Sequence, residues 1–425
     1  MNSSTARNAL VGVLAAVIAV LLVAVGYLGR VVLEDNEPGA TETAASGAAE
    51  ADSAASSLSD IDFALIDEII DILEEDFVEP DRVDRELLYE GAVNGLFQAL
   101  GDPHSVYIDP NTYALSRDDF SGAFQGIGAT VSSQDGFVVI VRPLPSTPAE
   151  AAGIQAGDVL LAVDGEDAEG WSVEKAVLRI RGRRGSAVEL TVRHPGGTVE
   201  TLSIVRDDIL VASVDNAPPG GVLRDGNGDE VSDIAYIRIR SFTMRTPEEL
   251  RALIEELEDS VRGIILDVRG NPGGLLNETA LTADMFLDGG TILVQVDRDG
   301  SEAVFNARPG MVTDLPVVIV QDEFSASGSE LLAAALQENG RGIVMGANSF
   351  GKGTVNHARD LSNGGAVYVS IARWLTPDRN IIEGRGVIPD IAITLTLEDI
   401  EAQRDIAIHR AIDALRAVAV GAPTG

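Results

Sequence analysis

From about Asp208 to Leu395 the chain alternates β-rich runs with helical stretches, and this alternation constrains its fold more than any other feature. IAYIRI, GIILDV, TILVQV, LPVVIV, RGIVMG and AVYVSIAR read as strands, with PEELRALIEELEDS, LLNETALTADMFL and GSELLAAALQEN as helices between them. Such a pattern predicts an α/β core in which crossover helices join neighbouring strands. Between about Phe124 and Arg206 the texture changes. FVVIVRPL, DVLLAVDG and AVELTVRH are strand-like, AEAAGIQAG is a short helix ended by Gly153, and SVEKAVLRIRG is a longer one ended by Gly182. That predicts a compact, strand-rich module. Further upstream, Ile61, Leu65, Ile66, Ile69, Ile70 and Leu73 recur with helical period. A second helix follows from about Val83 to Leu100, with Asp81 or Asp84 as its cap, and the pair closes on GDPHSVY at 101–107. Glu398 to Val418 reads as one more helix. A chain of 425 residues is long enough for several such cores.

The N-terminus carries a different signal. Ala9 to Gly29 is an uncharged, almost wholly apolar run, long enough to span a bilayer. Arg7 precedes it, and Glu34, Asp35 and Glu37 follow soon after, which orients the N-terminus inside and exports the body. A membrane anchor is the reading preferred over a cleaved signal peptide, because the apolar run exceeds a usual signal core. The stretch EPGATETAASGAAEADSAASSLS, 37–59, is too poor in large apolar groups to fold alone and reads as a flexible tether. The expected organisation is thus 1–30 cytoplasmic tip and anchor, 31–59 linker, 60–115 helical region, 116–207 strand-rich module, 208–395 α/β core and 396–425 C-terminal helix and tail. The expected location is the cell membrane, single-pass, with the body extracytoplasmic. A formal net charge of -36 argues against nucleic acid as a partner, since the two would repel.

The absence of cysteine excludes a thiol nucleophile, disulfides and thiolate metal sites. The four histidines, His104, His194, His357 and His409, are scattered and form no HExxH-like spacing. In FSASGSELLAAAL, 324–336, Ser325, Ser327 and Ser329 fall where a strand turns into a helix. A serine there is ordinarily a helix cap. It becomes a nucleophile only if a base activates it, while the helix N-terminus offers free N–H groups to an oxyanion. Only two lysines occur among 31 basic residues, Lys175 and Lys352. A buried lysine can lose its proton and act as a base, whereas arginine cannot. Lys175 lies on a module helix, where a solvated or salt-bridged role is the default. Lys352 sits between Gly351 and Gly353 in NSFGKGTVN, which lacks the spacing of a phosphate-binding loop. The turn in DVRGNPGGLL, 267–276, can either receive an oxyanion or simply turn a corner.

Taken together, GDPHS at 101–105, FQGIG at 124–128, AAGIQAGDVLLAVDG at 151–165, RGRRGSAVELTV at 181–192, AYIRIRSF at 235–242, ILDVRGNPGG at 265–274, FSASGSELLAAAL, SFGKGTV at 349–355 and TPDRNIIEGRGVIPD at 376–390 resemble the carboxy-terminal processing proteases, also called tail-specific proteases. The resemblance runs from about residue 60 to 395. It implies a multidomain α+β protein: an N-terminal helical region, a PDZ domain, an α/β (crotonase/ClpP-like) protease core and a C-terminal helix. It further implies a serine endopeptidase that cleaves extracytoplasmic proteins near their C-termini, with Ser327 as nucleophile and Lys352 as base. The implied oxyanion donors are the N–H groups of Gly328, Gly273 and Gly274. Gly126, Ile127 and Gly128 would cradle a peptide carboxylate, the peptide adding as a strand. The family usually has Gln four residues after the lysine; Asn356 stands there, as a shorter orienter. No cofactor or metal is implied. The expected partners are proteins or peptides with accessible C-termini and the membrane through the anchor, not nucleic acid, with homo-oligomerisation open. His357 belongs to no family motif, and no GNSGG-type turn of the trypsin-like PDZ proteases is present. A non-proteolytic PDZ scaffold with a latent site is the alternative function. An acyl-CoA enzyme of the crotonase type shares the glycine-turn logic but leaves the PDZ-like module unexplained.

Overall fold

The computed structural model describes residues 64–421, apart from 219, 258, 395, 397, 398, 400, 401 and 403. The apolar run at 9–29 and the tether at 31–59 lie outside these residues. Among the described residues no helix is long and apolar enough to cross a membrane. The longest, Arg85–Leu100 and Ile406–Gly421, have 16 residues each. At 1.5 Å per residue they reach about 24 Å, short of a hydrocarbon layer of about 30 Å. The expectation of a single-pass membrane protein, with the membrane as partner and as location, is corrected to this extent: the described residues supply no membrane-spanning helix.

The chain enters through helices Ala64–Asp76 and Arg85–Leu100. Asp84, not Asp81, caps the second, its carboxylate accepting the N–H groups of Glu86 and Leu87 at 3.0 and 3.1 Å. Arg85 ties the pair together through Asp67, Asp71 and Glu74. Gly101 ends the second helix in the left-handed region at φ 70°.

The strand-rich module forms as read, an antiparallel sheet of Ala129–Gln134, Phe137–Pro143, Val159–Val163, Ala187–Arg193 and Val199–Val205. Alternation along Ala187–Arg193 turns Val188, Leu190 and Val192 inward, where they meet Val138, Ile140 and Leu160. Helix Val173–Ile180, capped by Ser172, adds Ala176 and Ile180 to the same core. A two-stranded ribbon, Ala123–Gly126 against Asp207–Leu210, marks where the chain enters and leaves this module.

In the C-terminal half, strands Ala235–Ile239, Ile264–Asp267, Val317–Gln321 and Gly342–Gly346 lie parallel in chain order. Their side chains alternate between two cores. Ile264, Leu266 and Ile319 face helices Thr246–Glu255, Leu276–Asp284 and Gly328–Glu338. Ile265, Val318 and Val320 face the helix Ile406–Gly421. Sequence alternation alone did not show that TILVQV and AVYVSIAR leave this sheet. They build a second, antiparallel one, in which Ala366–Leu375 pairs with Thr354–Asp360 on one side. On its other side lie Thr291–Asp297 and, at the opposite end, Val106–Ile108 from the N-terminal region. The 214–233 segment reads from its Gly, Pro and Asp content as a solvated hairpin or a partner contact, yet part of it packs inward. Leu223 and Val231 are buried against the C-terminal helix, and Arg416 of that helix reaches Asp225 and Asp233 at 3.1 and 3.3 Å.

Candidate active site

The three serines of the 324–336 motif have different fates. Ser325 is 1% exposed, and its Oγ donates to the Val268 carbonyl at 2.8 Å. Ser329 is fully buried and donates to the Asn271 carbonyl at 2.9 Å. Both therefore fasten the helix start to the neighbouring turn. Ser327 alone adopts φ 52°, ψ −107°, immediately before helix Gly328–Glu338. Non-glycine residues in such a conformation are strained and cluster at functional sites.

The DVRGNPGG turn abuts this serine. A Cβ on Gly273, at φ 104°, would lie 2.8 Å from Gly328 N and 2.9 Å from Ser327 Cβ. Gly274 forms a parallel bridge with Phe242, so a Cβ there would strike the Phe242 backbone. Among the described residues the N–H groups of Gly328 and Gly274 have no hydrogen-bond partner, whereas Gly273 N–H donates to Asn271 Oδ1 at 2.8 Å. That committed bond removes Gly273 from the expected set of three donors and leaves it to shape the turn. Beneath the turn Asp267 is 1% exposed and accepts from Tyr236 Oη at 2.7 Å. Burial alone would raise its pKa, but hydrogen bonds and charge from Arg269 hold it below the usual value. Arg269 also reaches Asp405, just before the C-terminal helix, at 2.8 Å.

Lys352 lies on the loop after Gly342–Gly346. Its Nζ stands 5.5 Å from the centroid of the Tyr368 ring. Burial pulls its pKa below that of an ordinary amine, while the charges of Glu383, Asp102 and Glu330 oppose the shift. No direct hydrogen bond joins Ser327 Oγ to Lys352 Nζ. The two residues are brought together through Glu330, which the sequence reading passed over. Glu330 is fully buried and accepts from Ser327 N at 2.6 Å, Lys352 N at 2.9 Å, Gly351 N at 2.5 Å and Ser349 Oγ at 2.6 Å. Burial pushes its pKa up. The hydrogen bonds from Ser349, Lys352, Gly351 and Ser327 oppose that push and favour the ionised carboxylate. The S-x-x-E spacing of a capping box was the available signal.

Asn356 does not reach Lys352. Its Nδ2 donates to the His104 carbonyl at 2.8 Å and to Ser370 Oγ at 3.1 Å. A register shift between Val355 and Asn356 breaks the simple face alternation along this strand and re-aims the amide. His357 is exposed. Lys175 is salt-bridged to Glu166 at 3.2 Å, on the module and away from this chemistry.

In the module, Gly126, Ile127 and Gly128 form the buried loop leaving the ribbon. Ile127 carbonyl accepts Ala149 N–H at 2.8 Å, and Gly128 carbonyl accepts Leu144 N–H at 2.9 Å. The N–H groups of Ile127 and Gly128 have no partner among the described residues, which leaves an arrangement suited to a terminal carboxylate.

A strained serine at a helix start, a half-buried lysine tied to it through one carboxylate, and a peptide-binding module define a serine-type endopeptidase. Comparison with known proteins makes the class specific. Residues 233–393 match the model for Peptidase family S41, residues 119–193 that for a PDZ domain, and residues 20–112 the Activating protease CtpB N-terminal domain. Carboxy-terminal processing protease CtpB of Bacillus subtilis (strain 168) is 36% identical over 372 residues, covering 86% of this chain and 74% of that protein. CtpA of the same organism is 36% identical over 316 residues, covering 74% of this chain and 66% of that protein. A solved photosystem II D1 C-terminal processing protease is 27% identical with a TM-score of 0.44, over 82% of this chain and 96% of that one. The chain belongs to the family of carboxy-terminal processing proteases, serine endopeptidases in which a PDZ domain assists substrate recognition. The non-proteolytic scaffold is thereby set aside.

Proposed function

We propose that Ser327 is the nucleophile of this endopeptidase and Lys352 its general base. The observation that carries the reading is Glu330, whose single carboxylate receives the N–H groups of both residues. Neutral Lys352 takes the proton of Ser327 Oγ as that oxygen attacks the substrate carbonyl. The tetrahedral oxyanion rests on the N–H groups of Gly328 and Gly274, with Gly273 holding the turn against the serine. The lysine then gives its proton to the leaving amine, and water hydrolyses the acyl-enzyme. Burial of Lys352 supports this role, since it favours the neutral amine. Asn356 is assigned to fastening the 102–105 segment, not to orienting the lysine. The substrate's C-terminal carboxylate is placed on the N–H groups of Ile127 and Gly128, with Gly126 allowing the close approach.

Domain limits at 60–115, 116–207 and 208–395 are supported by the ribbon of Ala123–Gly126 and Asp207–Leu210, through which both crossings into the PDZ domain pass. The core is read as crotonase/ClpP-like, supported by parallel strands with helical crossovers and by a glycine turn facing a helix N-terminus. Digestion of a peptide with a free C-terminus by the full chain and its Ser327→Ala form tests the central assignment. The variant should melt like wild type and cleave nothing; equal cleavage by both would refute the nucleophile.

A further inference from the structure

One hydrogen-bonded pair outside the serine and lysine converges on the same loop. His104, from the GDPHS segment, places Nε2 at 2.8 Å from Oε1 of Glu383 in the closing segment. The other carboxylate oxygen, Oε2, accepts Gly353 N–H at 2.7 Å. The preceding N–H, that of Lys352, goes to Glu330 at 2.9 Å. Two carboxylates from different parts of the chain therefore hold successive peptide groups at the lysine. His104 is itself fixed. Its carbonyl accepts Asn356 Nδ2 at 2.8 Å, and its N–H donates to Asp102 Oδ1 at 3.0 Å. The Asp102 carboxylate takes Ser105 Oγ at 2.5 Å, and that oxygen accepts Ser370 N–H at 3.0 Å. The histidine side chain is only 12% exposed, and that of Glu383 is 37% exposed.

We propose that His104 and Glu383 form a positioning pair for Lys352, fixing the far side of its loop and setting the charge the amine meets. The N-terminal region thereby supports the competence of a site whose serine and lysine lie far along the chain. This inference rests on the reading of Lys352 as the base. The groups that face the lysine are the carboxylates of Glu383, Asp102 and Glu330 and the ring of Tyr368, with His104 behind Glu383. Burial alone would raise the pKa of Glu383, but the His104 hydrogen bond and Gly353 N–H hold it below the usual value, so its charge persists. That charge favours the ammonium form of Lys352, and the His104 donor tempers it.

The test is the pH dependence of kcat and KM on one peptide, for the full chain and for Glu383→Gln, His104→Ala, His104→Gln and Lys352→Arg. Glu383→Gln keeps an acceptor for Gly353 N–H but removes the charge, so the acid limb of kcat should move down by about one pH unit. His104→Ala leaves one Glu383 oxygen without its donor. Its limb should move up, with kcat near neutrality down about tenfold for one lost charge-assisted hydrogen bond and KM within about twofold. His104→Gln restores a donor and should return most of the rate. Limbs that stay at the wild-type position in Glu383→Gln and His104→Ala overturn the pair, even if melting temperatures fall. An active Lys352→Arg would overturn the base reading instead, so the two failures are distinct. Should Glu383→Gln not fold, the upward shift in His104→Ala and its reversal in His104→Gln carry the test, and no shift overturns it.

Discussion

Replacing Glu330 by glutamine changes few atoms but should damage this site severely. The wild-type carboxylate accepts four donors, two on each oxygen: Ser349 Oγ and Gly351 N on Oε1, Ser327 N and Lys352 N on Oε2. A glutamine amide keeps one oxygen, and its NH2 group must then face two N–H or O–H donors. Whichever way the amide is turned, two buried donors lose their acceptor. At about 1–3 kcal/mol per stranded buried group, Glu330→Gln should cost about 2–6 kcal/mol of core stability. That is a large share of the roughly 5–15 kcal/mol that holds a typical domain together. The two tryptophans offer a direct assay. Trp374 donates its indole N–H to the Lys352 carbonyl at 3.1 Å, while Trp171 belongs to the PDZ core. In a Trp171→Phe background, fluorescence during urea unfolding reports the catalytic half. The midpoint should fall, and the folded variant should lose kcat rather than raise KM, because Ser327 and Lys352 are no longer held by one group. Ser349→Ala, which removes one donor and orphans Val387 N–H, should cost less. A Glu330→Gln protein within about 0.5 kcal/mol of wild type, the scatter of ordinary surface substitutions, would refute the four-donor argument.

Other substitutions test the remaining geometry. Lys352→Arg should be nearly as inactive as Lys352→Ala, since arginine keeps the charge but cannot accept the serine proton; retention of more than about a tenth of the rate, measured as peptide hydrolysis, would make charge placement the lysine's role. The wild-type rate should rise with pH as Lys352 deprotonates, through an apparent pKa below the ~10.4 of free lysine. Gly274→Ala should abolish activity, because its Cβ would meet the Phe242 backbone and force the turn away from Ser327; a normal kcat would show that the turn has room to give. Asn356→Ala should lower the melting temperature and displace the acid limb of the pH–rate profile no further than His104→Ala does, its amide serving His104 and Ser370; a larger displacement would return Asn356 to the lysine.

Residues close together in sequence were the easiest to read. Ser327 and Gly328 share one strand-to-helix turn, the double glycine follows its own strand, and Lys352 stood out through the rarity of lysine. The PDZ strands announced themselves by alternation and turn residues, as did the parallel strands by their crossovers. What sequence order hides is the meeting of distant segments. His104 and Glu383 are 279 residues apart, and nothing local marks either as the other's partner. Glu330 was visible as the fourth residue of a capping pattern, but its three contacts on the 349–352 loop depend on how two strands of the sheet lie side by side. The Asn356 reading failed for a local reason: a register shift altered an alternation that the sequence could only assume. The 214–233 segment looked soluble by composition, yet two apolar residues, Leu223 and Val231, were enough to seat it.

The short strand Val106–Ile108 joins the second sheet through Val106↔Tyr368, Tyr107↔Val367 and Ile108↔Ala366. A ribosome delivers those two partners far apart in time, and a contact across so many residues is among the slowest a chain makes. The PDZ domain, built from neighbouring strands, is free to fold while the rest is still being synthesised. The lysine's surroundings are not, because GDPHS has nowhere to dock until Ala366–Leu375 has emerged. A nascent or truncated chain thus holds a serine and a lysine without the walls around them, so proteolytic competence arrives only with the last stage of folding.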